Sequence, residues 1–517
     1  MNDTSGGGRL AALDRVPPLP AWTLTAIVLI ASAFAIRAWQ FGNPVVHIDE
    51  QFYLLVGDRM LGGALPYVDI WDRKPIGIFL IYAAIRTLGG TGVVEYQMAA
   101  TLFAGLTALL VALLAARFAS RIAAAAAGLC YLLWLNILGG EGGQSPVFYN
   151  LPVAAAALLT LRAISRERFD SAAFAQGAAA MLLSGLAIQI KYTALAEGLF
   201  FGLALIWGAR RAGLGWPRLL PAGLVWAALG AAPTLAAFLF YLRLGHGDAF
   251  VHANFLSALQ RSSPGAAVLA GRIFFIAAMI LPLILAAIAA RWPKQEKRRG
   301  PRGWDFALAW AGAASAGLLF FGTYYEHYAL ALLPPFCAAA APLMGDWRSG
   351  YGFTARARRL LVPAILFLPL FALVTQAFVI AKHRRERGRA EQVEQVVGFV
   401  RPRLRPGECI YVVEEDPILY HLTGSRLPTR WPFPDHLGKF MDSGAIGTDP
   451  VAEMRRILAS RPRFVDVNHL RHPYSNPPVW RLIGGALRTD YRLAHRVRVG
   501  HRYRMIFERL EPAGSAR

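Results

Sequence analysis

The chain has 517 residues, a net charge of +22, and 56% apolar against 17% charged residues, with a mean hydropathy of +0.40. Soluble domains carry about 45–50% apolar and 25% charged residues, so much of this surface must face lipid, and soluble multidomain and disordered classes are excluded. The basic excess sits in short clusters between apolar runs rather than in a nucleic-acid motif, and three cysteines (Cys130, Cys337 and Cys409) cannot frame a disulfide scaffold.

Residues 1–20 read as a short polar cytoplasmic tail, followed by a first transmembrane helix over 21–41. Further apolar runs of membrane-spanning length fall at 93–116, 122–138, 146–162, 172–189, 193–209, 217–241, 266–290, 305–322, 327–345 and 358–381. With the first, these make about 11 transmembrane helices. The run PIGIFLIYAAIRTL (75–88) is apolar but too short to span and reads as an interfacial helix. Parity supports that choice. With 75–88 off the count, the clusters Arg117/Arg121, Arg162/Arg166/Arg168, Arg210/Arg211, Arg291 to Arg302 and Arg348 to Arg359 all fall on the cytoplasmic side with the N-terminus. The expected organisation is therefore a transmembrane domain over 21–381, a long first outer loop over 42–92, a second outer loop over 242–265, and an extracytoplasmic domain over 382–517.

The last segment has mixed α/β signals. Helical spacing appears at 391–400, 450–460 and 478–487, strand patterns at 409–413 and 463–467, and a hairpin over 491–510 turning at Gly500. A supporting or acceptor-binding role fits it better than catalysis. In the loop 242–265, His246, Asp248, His252, Asn254 and Arg261 match no usual zinc spacing and read as polar contacts.

The first outer loop carries the chemistry. It reads NPVVHIDEQFYLLVGDRMLGGALPYVDIWDRKPIGIF from Asn43 to Phe79 and holds five acids, Asp49, Glu50, Asp58, Asp69 and Asp72, beside Arg59, Arg73 and Lys74. Asp49 and Glu50 open a helix, where adjacent side chains diverge by about 100°, so one can face a pocket while the other packs. Acids at a helix start also simply offset the helix dipole. Lys74 begins the interfacial segment, where a cation meets lipid phosphates or snorkels to the headgroups.

These residues resemble the first loop of the bacterial GT-C glycosyltransferases, in the group that includes protein O-mannosyltransferases and the lipid A aminoarabinose and galacturonic acid transferases. The resemblance rests on Asp49-Glu50 after the first helix, Pro66-Tyr67 with Asp69, then Asp72 and Lys74-Pro75 before an interfacial helix, with a weaker echo at HYALALLPP (327–335). It implies an α-helical polytopic membrane protein of GT-C type with a small C-terminal α/β extracytoplasmic domain. The implied activity is transfer of a sugar from a polyprenyl-phosphate donor to an envelope lipid, glycan or protein acceptor at the outer face of the plasma (inner) membrane, usually with inversion. An attacking hydroxyl needs a carboxylate to take its proton, and Asp49, with Glu50 beside it, is the expected base. The leaving phosphate needs fixed cations, for which Lys74, Lys191 and His327 are the candidates.

Lys191, in QIKYTALAEG, sits at a turn between spans with Glu197 as an available partner, and His327, in YYEHYAL, starts a span. Where relatives place an acid between the third and fourth spans, this chain has Val147, and Glu141 lies six residues earlier in what reads as a flexible glycine run. Metal dependence is left open: a divalent cation would draw on Asp49 and Glu141. The competing reading is a transporter or flippase of lipid-linked sugars. Transporters place charges in broken helices at the midplane of repeated halves, whereas here the acids crowd one loop.

Overall fold

The computed structural model describes residues 22–290, 303–345 and 355–511; the expected cytoplasmic tail and the basic run 291–302 lie outside them. Among the described residues, ten helices are long and apolar enough to cross a membrane, from Thr23–Gln40 through Glu326–Met344. This is a multi-pass membrane protein. The eleventh expected span falls in the helix Ala355–Arg387, of which the side chains of 355–366 lie outside the description.

The chain divides into two compact units. The first comprises the residues up to Trp39, Met98–Leu235 and Ala266–Val379. Among its described residues the regular elements are all helices, as a bilayer demands, because a helix satisfies its backbone within itself. Leucines and phenylalanines such as Leu224, Phe274 and Phe320 stay exposed for lipid, while small residues let helices approach. A Cβ on Gly185 would collide with the carbonyl oxygen of Gly230 on the neighbouring helix. The most buried cation among this unit's described residues shows how a charge is accommodated inside. Arg37, 1% exposed, donates to Thr101 Oγ1 (3.1 Å), to Asn136 Oδ1 (3.4 Å) and to the carbonyls of Gly140 and Gly142.

The second unit gathers Gln40–Gln97, Ala236–Gly265 and the chain from Ile380 onward. Its first two helices are α1 (Ile48–Leu61) and α2 (Ile76–Arg86). At 11 residues, α2 is about 16 Å long, roughly half of what the hydrocarbon core requires. It packs on α1 through edge-to-face rings, Phe52 on Phe79 and Tyr53 on Tyr82. Gly57 makes that approach possible, because a Cβ there would stand 2.7 Å from the backbone at Tyr82 and Ala83.

The C-terminal segment forms α3 (Ala390–Val400), β1 (Ile410–Val412), α4 (Pro434–Gly438), α5 (Pro450–Ala459), β2 (Phe464–Asn468), α6 (Pro477–Thr489), β3 (Tyr491–Val499) and β4 (Arg502–Arg509). The sheet runs β1-β2-β4-β3, with β1 and β2 parallel and the other pairs antiparallel. Helix α5 starts where Asp449 accepts from the amides of Val451 and Ala452, with Pro450 at a position that has no amide to lose. Helix α6 buries Val479, Trp480 and Ile483 and leaves its arginines outside.

Candidate active site

In the second unit, the loop motif folds around one ammonium group. Lys74 Nζ donates to Asp49 Oδ1 at 3.1 Å and lies 3.8 Å from Asp72 Oδ1. The rings of Tyr53 and Phe433 flank it, 5.1 and 5.5 Å from their centroids. Asp49 stands in the first turn of α1, and Asp72 is fixed because its Oδ1 accepts the amide of Lys74 at 2.8 Å. Burial works against the charge on Lys74, but the carboxylates of Asp49 and Asp72 hold its pKa well above the ordinary value.

The Pro66-Tyr67-Asp69 stretch is the turn that delivers this lysine. Tyr67 has a positive φ of 69°, a conformation costing a β-carbon-bearing residue on the order of 1–3 kcal/mol. Three bonds hold it there. Asp69 Oδ2 accepts the amide of Leu65 (2.7 Å), Tyr67 N donates to Ile70 O (2.7 Å), and the Tyr67 hydroxyl donates to the Lys74 carbonyl (2.8 Å). Asp69 is thus a turn residue. Asp58 pairs with Arg86 (3.0 Å) and His421 (3.2 Å) at the far end of α1.

Asp49 and Glu50 diverge as adjacent helical residues do. Glu50 is fully buried, and with burial its carboxylate pushes the Tyr82 phenol upward, which sets Glu50 on the α2 side. His47 caps α1: its Nδ1 accepts the Asp49 amide at 3.2 Å, and the same nitrogen is 3.6 Å from Asp49 Oδ2. The shorter contact governs, since a lone pair engaged by an N–H carries no proton for the carboxylate.

Beyond the motif, the unit adds Asp442 and His436, which the sequence does not announce, and brings in Arg261, expected only as a polar contact of the second outer loop. Asp442 Oδ1 takes Arg73 Nη2 at 3.1 Å and Arg261 Nε at 2.8 Å. Burial opposes its ionisation, but Arg73 and Arg261 lower its pKa below the ordinary value. His436 Nε2 lies 3.8 Å from Asp72 Oδ2, its ring edge-on to Trp71 at 4.8 Å. Burial pulls the His436 pKa down to about 4, so it is neutral at physiological pH. Trp71 N donates to Arg430 O at 2.7 Å, which ties the loop to the C-terminal segment. These contacts form two clusters, Lys74 between Asp49 and Asp72, and Asp442 between Arg73 and Arg261; their six charges sum to zero, and the clusters adjoin through the neighbouring residues Arg73 and Lys74. No local spacing announces His436 or Asp442; the proline- and aromatic-rich WPFPDHLGKF (431–440) is the nearest signal.

The remaining predicted residues lie in the first unit. Lys191 occupies an extended break between two helices, its ammonium 3.8 Å from the Tyr328 ring centroid. His327, 7% exposed, meets the same ring edge-on at 4.9 Å and stacks on Tyr325. Lys191 and His327 thus converge on Tyr328. Arg272, absent from the sequence reading, lies over Tyr325 at 4.1 Å and donates to Thr323 O. Glu197 accepts from Trp310 Nε1 at 2.9 Å. Glu141 is 2% exposed, in the segment whose carbonyls Arg37 holds. Its glycine run is therefore packed rather than flexible: a Cβ on Gly139 would touch Glu326 Oε1 (3.3 Å) and His327 Cβ (3.6 Å).

Comparison with solved structures finds ArnT from Cupriavidus metallidurans in the apo state, with a TM-score of 0.59, 15% identity, and coverage of 94% of this chain and 98% of that one. ArnT bound to undecaprenyl phosphate matches over the same shares with a TM-score of 0.59 and 16% identity. The fold is GT-C-like. The Archaeoglobus fulgidus oligosaccharyltransferase AglB, in complex with an inhibitory peptide and a dolichol-phosphate, follows with a TM-score of 0.53 and 12% identity, over 86% of this chain and 69% of that one. At such identity the likeness is one of fold. No family model and no curated protein sequence matches the chain.

Proposed function

We propose that the protein transfers a sugar from a polyprenyl-phosphate donor to an acceptor hydroxyl at the outer face of the plasma membrane, by direct displacement with inversion. The observation that carries the reading is Asp49, a carboxylate in the first turn of α1 with one oxygen held 3.1 Å from Lys74. Its other oxygen, Oδ2, lies 3.6 Å from His47 Nδ1 and is the atom proposed to take the proton. As the acceptor oxygen attacks the anomeric carbon, its proton passes to Asp49, and the bond from that carbon to the phosphate oxygen breaks. The polyprenyl phosphate leaves as an anion, for which Lys74, Lys191 and His327 are the proposed cationic contacts. Glu50 is proposed as the buried neighbour that keeps Asp49 at the helix start.

The GT-C-like fold supports the donor class, since ArnT has been seen with undecaprenyl phosphate and AglB with a dolichol-phosphate. The positive-inside pattern supports a cytoplasmic N-terminus and an extracytoplasmic C-terminal domain. A divalent cation would draw on Asp49 and Glu141 and would offset charge on the departing phosphate. The test is release of free polyprenyl phosphate from sugar-loaded carrier lipids by the protein in lipid nanodiscs. Release by the wild type and not by Asp49→Asn supports the reading. Equal release by both removes Asp49 as the base, and sugar flux across vesicles without release would favour the flippase.

A further inference from the structure

A second feature of the loop-rich unit is absorbed by none of this chemistry. A cleft of about 610 Å³ lies among α1, the loops after β1 and β2, and the β3–β4 turn. That volume falls within the roughly 300–1,000 Å³ of ordinary ligand pockets. Its floor is the carboxyl end of the parallel pair β1–β2, the edge where open α/β sheets bind ligands because the connecting loops diverge there. The loop after β1 supplies Glu414 and Glu415, and the loop after β2 supplies Arg471 and His472. Helix α1 contributes Ile48 and Gln51, and its cap His47, two residues before Asp49, lines the cleft as well.

The backbone is strained at this edge. Glu415 has a φ of 63°, unusual for a residue with a β-carbon, and it is fixed by an ion pair with Arg502. Such outliers persist where surrounding bonds over-determine them, and they cluster at ligand sites. Glu414 accepts from the His472 amide (3.3 Å) and lies 3.4 Å from the Ser475 hydroxyl; burial first, then Glu415, raises its pKa to about 7.

The charge pattern selects the ligand. Among the described residues, five carboxylates, four lysine or arginine side chains and three histidines line the cleft. Most carboxylates are already paired: Glu415 with Arg502, Asp416 with Arg504, and Asp435 with Lys439 at 2.8 Å. Outside these pairs the lining still mixes both signs, Glu386 and Glu414 with Arg387 and Arg471, so an ion of either sign meets groups that repel it as well as groups that attract it. A hydroxyl suits both signs, since it donates to a carboxylate and accepts from a guanidinium at once. A peptide would want a deep apolar anchor, whereas the apolar lining here is scattered, such as Val45, Ile48 and Leu470.

We infer that this cleft binds an uncharged, hydroxyl-rich saccharide, the acceptor of the proposed transfer, an inference that rests on the transfer reading for the word acceptor. The experiment is hydrogen–deuterium exchange on the full-length protein in nanodiscs with maltotriose, mannotriose, chitotriose, trigalacturonate or a serine/threonine-rich peptide as probe. Each is taken to about 10 mM, a range that reveals even a Kd near 1 mM. The expected result is protection of 413–416 and 469–473 by at least one neutral trisaccharide. Glu414→Gln and Arg471→Ala should each weaken that protection by at least about tenfold, the loss expected for one hydrogen bond to a charged group. Protection by the peptide or trigalacturonate alone, or by no neutral saccharide, overturns the inference. Polyprenyl phosphate release is read in parallel. Saccharide protection without release keeps the saccharide site and removes the transfer reading. Release without protection removes the saccharide site and keeps the transfer.

Discussion

Replacing Lys74 by methionine tests the centre of the network. The substitution keeps the aliphatic stem between Tyr53 and Phe433 and removes the charge. Coulomb's law at an effective dielectric near 20 gives about 5 kcal/mol for the attraction to Asp49 at 3.1 Å and about 4 kcal/mol for that to Asp72 at 3.8 Å. Part of this is offset in the wild type by the cost of burying the ammonium, and removing one partner from a buried pair costs on the order of 3–5 kcal/mol. Thermal and chemical unfolding in nanodiscs should show a loss of that size in Lys74→Met. The double variant Lys74→Met/Asp72→Asn should recover part of it, because one stranded carboxylate is gone. The sign with pH is definite. The folded-state pKa of Lys74 is raised, so its contribution is fully present below the unfolded value near 10.5 and is lost only as pH rises through the folded one. The gap between variant and wild type should therefore be flat from neutral pH to about pH 9. On the proposed role, polyprenyl phosphate should bind at least about tenfold more weakly, the loss of one charge-assisted contact. Unchanged stability together with unchanged phosphate affinity would refute the reasoning and reduce Lys74 to a residue reaching for the headgroups.

Asp49→Asn should lower turnover by at least about 10²-fold, as loss of a general base does, with donor binding retained; near-normal turnover in the release assay would sink the assignment. Asp442→Asn should destabilise the loop-rich unit by about 3–5 kcal/mol, since Arg73 and Arg261 then face each other without their shared carboxylate. An unshifted unfolding midpoint would show that the arginines find other partners. His436 has a folded pKa near 4 against 6.5 unfolded, so the unfolded chain binds more protons between those values and stability falls as pH drops through that window, by about 3 kcal/mol. His436→Gln should flatten that acid limb in a pH series of unfolding midpoints; an unchanged limb would assign it to other groups.

What the sequence made legible was whatever is local or periodic. Apolar runs near 20 residues marked the spans, and the 11-residue α2 was too short to be one. In the C-terminal segment, alternation and turn signals located β1, β2 and the β3–β4 hairpin within one or two residues of where they stand. Asp49 and Lys74, 25 positions apart, were found because one contiguous loop carries both. What stayed hidden depends on contacts across hundreds of positions. Arg73 and Asp442 are 369 residues apart, and nothing in either neighbourhood names the other. The glycine run around Glu141 reads as loose because glycine usually is; the residue that pins it, Arg37, lies 103 positions before Gly140.

The sharing of Asp442 by two guanidinium groups also bears on how the protein is made. Arg73 and Arg261 leave the ribosome long before Asp442 does, and until it arrives they are two like charges with no common anchor. The loop that carries Asp49, Asp72 and Lys74 holds all three partners of its own cluster, whereas the anchor shared by Arg73 and Arg261 completes only when the chain from Ile380 onward has folded back. Chain order thus sets an order of assembly: a ribosome-bound or truncated chain lacks the anchor at Asp442, and the two arginines are joined last.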